Sequence, residues 1–159
     1  MHGSTLDRCA RLLFSFFSKP RYLLPWLSKS VLSRKSPLDL RLPWFSFSAI
    51  DYFQHRNLKN EIIFEYGSGG STVFFAQRCR HVVSVESDQY WARLVRSKCQ
   101  SMGLNNVEVR FETGYFDHLE KHHQSGFLAA IKDYSPTIVV IDHYETDLQT
   151  RPTTFQYVQ

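Results

Sequence analysis

Three groups of residues in this 159-residue chain have types and spacing suited to chemistry. The first is Glu65-Tyr66-Gly67-Ser68-Gly69-Gly70, an acid two residues ahead of a glycine-rich turn. Glycines at such a turn let backbone N–H groups approach a bound polar or anionic ligand without side chains in the way. The second is Glu86, nineteen residues after Gly67 and directly after the run His81-Val82-Val83-Ser84-Val85. An acid at the end of a second strand can accept both hydroxyls of a ribose. Together these residues indicate an adenosine-type ligand. The third group is Asp142-His143, after the apolar run Ile138–Ile141. It falls at the carboxyl edge expected of a parallel sheet, where α/β proteins bind ligands. Asp142 can face the ligand or a second substrate there. His143 is a candidate general base, weighed against a plain loop histidine.

The elements that must position these groups follow from periodicity. Ile62-Ile63-Phe64 reads as a buried strand entering the glycine turn, and a helix over about 71–79 follows. The alternation continues with a strand over 81–86, a helix over 88–102 capped by Ser87 and ended by Gly103, and an edge strand over 107–111. Residues 114–126, polar and His-rich, read as a loop. A short helix over 127–133 is broken by Pro136, and 137–142 is a fourth strand. Upstream, 37–43 reads as a turn-rich connection, and a helix capped by Ser46 or Ser48 runs to about His55. Strands alternating with helices predict an α/β fold with a parallel sheet in the order 3-2-1-4.

The string Glu65-Tyr66-Gly67-Ser68-Gly69-Gly70-Ser71-Thr72, with Ser84-Val85-Glu86-Ser87-Asp88 and Trp91, resembles motif I and the following strand of the class I S-adenosylmethionine-dependent methyltransferases. The resemblance covers about residues 43–151. It implies a Rossmann-like fold, S-adenosylmethionine as cofactor and a small-molecule or glycan-type methyl acceptor. It further implies that Glu65 holds the methionine amino group, directly or through water, that the turn Gly67-Ser68-Gly69-Gly70 wraps the cofactor, and that Glu86 takes the ribose hydroxyls. Ser87 and Asp88 would line the adenosine, although capping the next helix explains them equally. The adenine contact expected after the third strand falls to Glu112, with Asp117 the weaker candidate. The family's fifth strand and its antiparallel pair have no counterpart before Gln159. The expectation is a fragment of a longer protein, with a missing segment or a partner covering the edge of strand 4.

Two other readings remain. A nicotinamide fingerprint wants Gly or Ala three places after Gly69, where Thr72 stands, so an NAD-binding oxidoreductase is the weaker alternative. A non-catalytic methyltransferase-like interaction module is the second. His118 and His122 stand four apart, and Asp142, Glu145 and Asp147 cluster, but neither set reads as a metal site. The Asn-Pro-Pro-aromatic signature of amino-group methyltransferases does not follow strand 4.

Charge divides the chain at about residue 36. Residues 1–36 carry seven Lys/Arg against one acid, whereas 37–159 carry twelve against fourteen. The basic balance therefore belongs to an amphipathic, helical N-terminal extension, and the domain over 37–159 has no nucleic-acid motif. The extension reads as a cap packed on the domain, with a transit peptide or contact with an anionic membrane surface as alternatives. Three scattered cysteines, Cys9, Cys79 and Cys99, fit a reducing, cytoplasmic compartment.

Overall fold

The computed structural model describes residues 35–144 and 150–159. Most of the N-terminal extension lies outside the described residues, and with it the reading as a cap and its alternatives of transit peptide or membrane contact. Glu145 and Asp147 lie outside them as well.

Four parallel strands form the centre: β1 (Ile62–Tyr66), β2 (His81–Glu86), β3 (Val107–Phe111) and β4 (Ile138–Ile141), in the order β3-β2-β1-β4. This is the Rossmann-like arrangement that the alternating pattern predicts, with β3 at an edge. Helices α1 (Pro37–Leu40), α2 (Phe47–His55), α3 (Gly70–Ala76), α4 (Gln89–Ser101), α5 (Leu119–His123), α6 (Gly126–Ala129) and α7 (Thr150–Tyr157) flank it. A 3₁₀ turn, Ala130–Asp133, continues α6.

Side chains alternate across a strand, so β1 feeds two cores. Ile63 packs with Phe74, Phe75, Val82 and Val140 beneath α2 and α3. Phe64 and Tyr66 point the other way, onto Val83, Val85, Phe127 and Leu128. The buried Tyr66 hydroxyl donates to the Leu128 carbonyl at 2.8 Å, tying β1 to α6. A third core, Val73, Ala92, Val95, Cys99 and Val109, holds α4 to the sheet through its i, i+3, i+7 stripe.

Local signals account for most boundaries. Ser46 caps α2 by accepting from Ala49 N–H at 3.3 Å. The expected connection at 37–43 contains one helical turn, α1, closed by a Ser36–Asp39 capping box. The expected loop over 114–126 contains α5, whose His122 is fully buried. Asp88, not Ser87, caps α4, accepting from Trp91 N–H at 2.9 Å. No helix among the described residues is long and apolar enough to cross a membrane.

Candidate functional site

The chain runs from β1 outward to β2 and β3, then crosses back to lay β4 on the other side of β1. That reversal opens a crevice at the carboxyl ends of β1 and β4, the usual ligand position in open α/β sheets. An open hollow of about 630 Å³ lies there. It is lined by Gly67 and Ser68 of the turn, Glu86, Asp88, Tyr90 and Trp91 from β2 and α4, Asp142 and Tyr144 after β4, and Trp44 and Arg151.

Glu86 lines the hollow, and its carboxylate also organises the turn. One oxygen accepts from Ser68 N–H at 2.8 Å and Ser68 O–H at 2.9 Å. The other accepts from the Ser87 and Asp88 N–H groups at 2.8 and 3.0 Å. Ser87 thus meets Glu86 through its backbone and is not among the lining residues, whereas Asp88 both caps α4 and lines the hollow. Trp91, three residues further on, donates its indole N–H to the Ser68 carbonyl at 2.7 Å. One turn of α4 therefore delivers Asp88 and Trp91 to the glycine turn.

Glu65 occupies a different place from the one its resemblance implies. It shares the β1 face of Ile63, so it points beneath the first turn of α3, fully buried and outside the hollow's lining. Its Oε2 accepts from Thr72 O–H at 2.6 Å and lies 3.1 Å from the Ser84 hydroxyl, directly opposite on β2. Thr72 in turn accepts from Gly69 N–H at 2.9 Å. The carboxyl thereby holds the turn from behind. Its Oε1 is buried with no hydrogen-bond partner. Burial pushes the acid up to about 7, against the opposing effect of the Ser71, Thr72 and Ser84 hydroxyls and with a small upward push from Asp142.

The glycines separate by cause. Gly67 has φ +94°, and a Cβ there would meet the His143 Cα at 2.8 Å. A Cβ on Gly70 would clash with the Leu42 and Pro37 carbonyl oxygens, so this glycine admits the α1 segment. Gly69 is extended, and its nearest neighbour would be the Trp91 ring at 4.0 Å. Of these three described glycines, Gly69 is the one where a Cβ would meet protein at no closer than ordinary contact distance.

Across the hollow, Asp142 is half-buried and paired with Arg151 at 3.3 Å. Burial raises its carboxyl above the usual range, with Arg151 opposing. Arg151 also donates through Nε and Nη2 to the His143 carbonyl at 2.9 and 2.7 Å. Trp44, Tyr90 and Tyr144 stand exposed at the rim (82%, 68% and 73%).

His143 does not reach the hollow. It is 2% exposed, stacked on Phe116 at 5.0 Å, with Nε2 3.1 Å from the Thr154 hydroxyl. The general-base role considered for it has no geometric support. Glu112 is also elsewhere, beside Arg110 at 3.4 Å and against Gly126. Tyr90, Tyr144, Trp44 and Arg151 were missed because they come from four separate segments with no shared spacing. Trp91 had a signal, its place in the first turn after β2.

No family model matches the chain, and a search of curated proteins finds no match. Similarity to solved structures falls on methyltransferases. A methyltransferase-like protein from Silicibacter pomeroyi is 26% identical, with TM-score 0.49 over 63% of this chain and 60% of that one. A Streptococcus mutans protein described as a methyltransferase, in complex with SAH, is 17% identical, with TM-score 0.48 over 79% and 63%. A protein-L-isoaspartate O-methyltransferase is 17% identical, with TM-score 0.40 over 54% and 25%. The chain thus spans between 25% and 63% of the lengths of these three structures.

Proposed function

We propose that this chain carries the cofactor-binding part of an S-adenosylmethionine-dependent methyltransferase. The observation that carries the reading is Glu86, whose side chain lines the switch-point hollow together with Gly67 and Ser68 of the glycine turn. The Ser68 hydroxyl now bonded to Glu86 stands where a ligand hydroxyl would donate. A ribose would displace it with no loss in the number of bonds to the acid. The hollow has room for the rest of an adenosyl ligand, and the negative lining of Glu86, Asp88 and Asp142 suits a cation. Bound there, S-adenosylmethionine would supply a methyl group on a sulfonium.

The protein's task in such a transfer is alignment, because orientation alone can lower the barrier by roughly 7–11 kcal/mol. Glu65 and Thr72 fix the turn from below, and Trp91 fixes it from the side. At the end of β4, Asp142 would take a proton from an acceptor hydroxyl, and its pairing with Arg151 supports that orientation. Trp44 and Tyr144, both exposed, also line the hollow, a surface suited to a small ring-shaped or glycan-type acceptor.

The discriminating variant is Gly69→Ala, since its Cβ meets no protein atom closer than 4.0 Å. We expect an unchanged melting temperature and a loss of at least tenfold, about 1.4 kcal/mol, in affinity for S-adenosylhomocysteine by calorimetry. Unchanged affinity in that variant, or heat with NAD and none with S-adenosylhomocysteine, overturns the reading.

A further inference from the structure

A second hollow, of about 450 Å³, lies at the opposite end of β1 and α3 from the glycine turn. The segment after α2 supplies Arg56, Asn57 and Lys59, and the segment after α3 supplies Gln77 and Arg78. Its floor is apolar, from Leu58 and Cys79, which are 1% and 8% exposed. No acid lines it.

Arg78 is half-buried, and no carboxylate among the described residues pairs with it. Its guanidinium sits 4.0 Å over the Phe74 ring and donates to the Phe74 carbonyl at 2.7 Å. Burial pulls it below its ordinary value, the mark of a cation held away from water. Sealing the end of α3 accounts for one of its five donors. It does not account for Lys59, which arrives from another segment and likewise has no ion pair among the described residues. Arg56 is compensated by Glu61 at 3.4 Å. The hollow therefore holds two uncompensated positive charges, with the neutral amides of Asn57 and Gln77 beside them.

An arginine fork held against Phe74, with an exposed lysine lining the same hollow, matches a compact dianion better than a single carboxylate. A phosphate monoester carries about −1.5 to −2 near neutral pH. We infer that the hollow between Arg78 and Lys59 is a binding site for a phosphate group, whether on a soluble metabolite or on a lipid headgroup. It is separate from the methyl-transfer site and does not depend on that reading.

The test uses the full chain, with Lys59→Gln and Arg78→Gln, titrated by calorimetry with sodium pyrophosphate. Co-sedimentation runs in parallel with phosphatidylcholine vesicles, with and without phosphatidic acid. The basic residues 1–36 are retained in every variant, so any binding they provide is common to all. Saturable pyrophosphate binding that weakens at least tenfold in each variant supports a soluble phosphate ligand. Binding confined to the phosphatidic acid vesicles, and weakened in the variants, supports a headgroup. Should Arg78→Gln fail to fold, the exposed Lys59→Gln decides alone. Binding to neither probe, or binding unchanged by these substitutions, overturns the inference. S-adenosylhomocysteine binding by Lys59→Gln separates the two sites, because the substitution leaves it unaltered if they are independent.

Discussion

Replacing Glu65 by glutamine probes the buried acid that supports the glycine turn. In the unfolded chain this carboxyl loses its proton near 4.5, whereas in the fold burial carries it to about 7. Between those values the folded state keeps a proton that the unfolded state has released, so unfolding liberates it. Raising the pH through that window therefore favours unfolding. Wild-type stability conferred by this group is complete below about 4.5, falls through the window and is level above about 7. The displacement from 4.5 to about 7 corresponds to roughly 3 kcal/mol at 1.36 kcal/mol per pH unit. Glutamine cannot ionise, and its amide oxygen can still accept from Thr72 and Ser84. The assay is urea unfolding of both proteins from pH 4.5 to 8 at constant ionic strength, taking the difference so that all other titrations cancel. We expect the variant to gain on the wild type by about 3 kcal/mol across that range. A difference that stays flat, or that moves in favour of the wild type as pH rises, refutes the assignment of a neutral buried acid.

Two further outcomes follow from other buried groups. The Thr154 hydroxyl donates to the Thr150 carbonyl and lies 3.1 and 3.4 Å from the Nε2 atoms of His143 and His122. Thr154→Val should cost about 1–3 kcal/mol in chemical denaturation and speed amide exchange over α7, because it strips a partner from buried polar atoms; native exchange rates there would refute this. Burial pushes the Cys79 thiol up to about 11 and raises Cys99 as well. Neither should be alkylated by iodoacetamide at pH 8 until urea is added, as read by peptide mass mapping. Rapid native alkylation of either would contradict their burial.

The strand, turn and helix alternation was legible because each apolar run ends in a residue that breaks it, such as Gly67, Asp88 or Gly103. The parity of β1 put Glu65 on the Ile63 face, but parity does not say what covers that face. Only the packing of α3 shows that the acid lies under the turn. His122 and His143 read as loop histidines because their shared hydroxyl partner, Thr154, lies 32 and 11 residues downstream, and they pack against Phe116 and Phe127 from other segments. The choice between Ser87 and Asp88 as cap turns on Glu86, which takes both of their N–H groups and leaves the Asp88 side chain to accept from Trp91.

The glycine turn shows why a motif is weaker evidence than the contacts around it. Gly67, Gly69 and Gly70 look equivalent in a string, yet the fold alone demands two of them. Gly67 is required by its positive φ and by the end of β4 crossing it, and Gly70 by carbonyls of the α1 segment. A protein that had lost its ligand would keep both. It would have no steric reason to keep Gly69, where a side chain would fit against Trp91 at ordinary contact distance. The case for a bound cofactor therefore narrows to one backbone position and the acid beside it, which is why Gly69→Ala tests function while Gly67→Ala would test only folding.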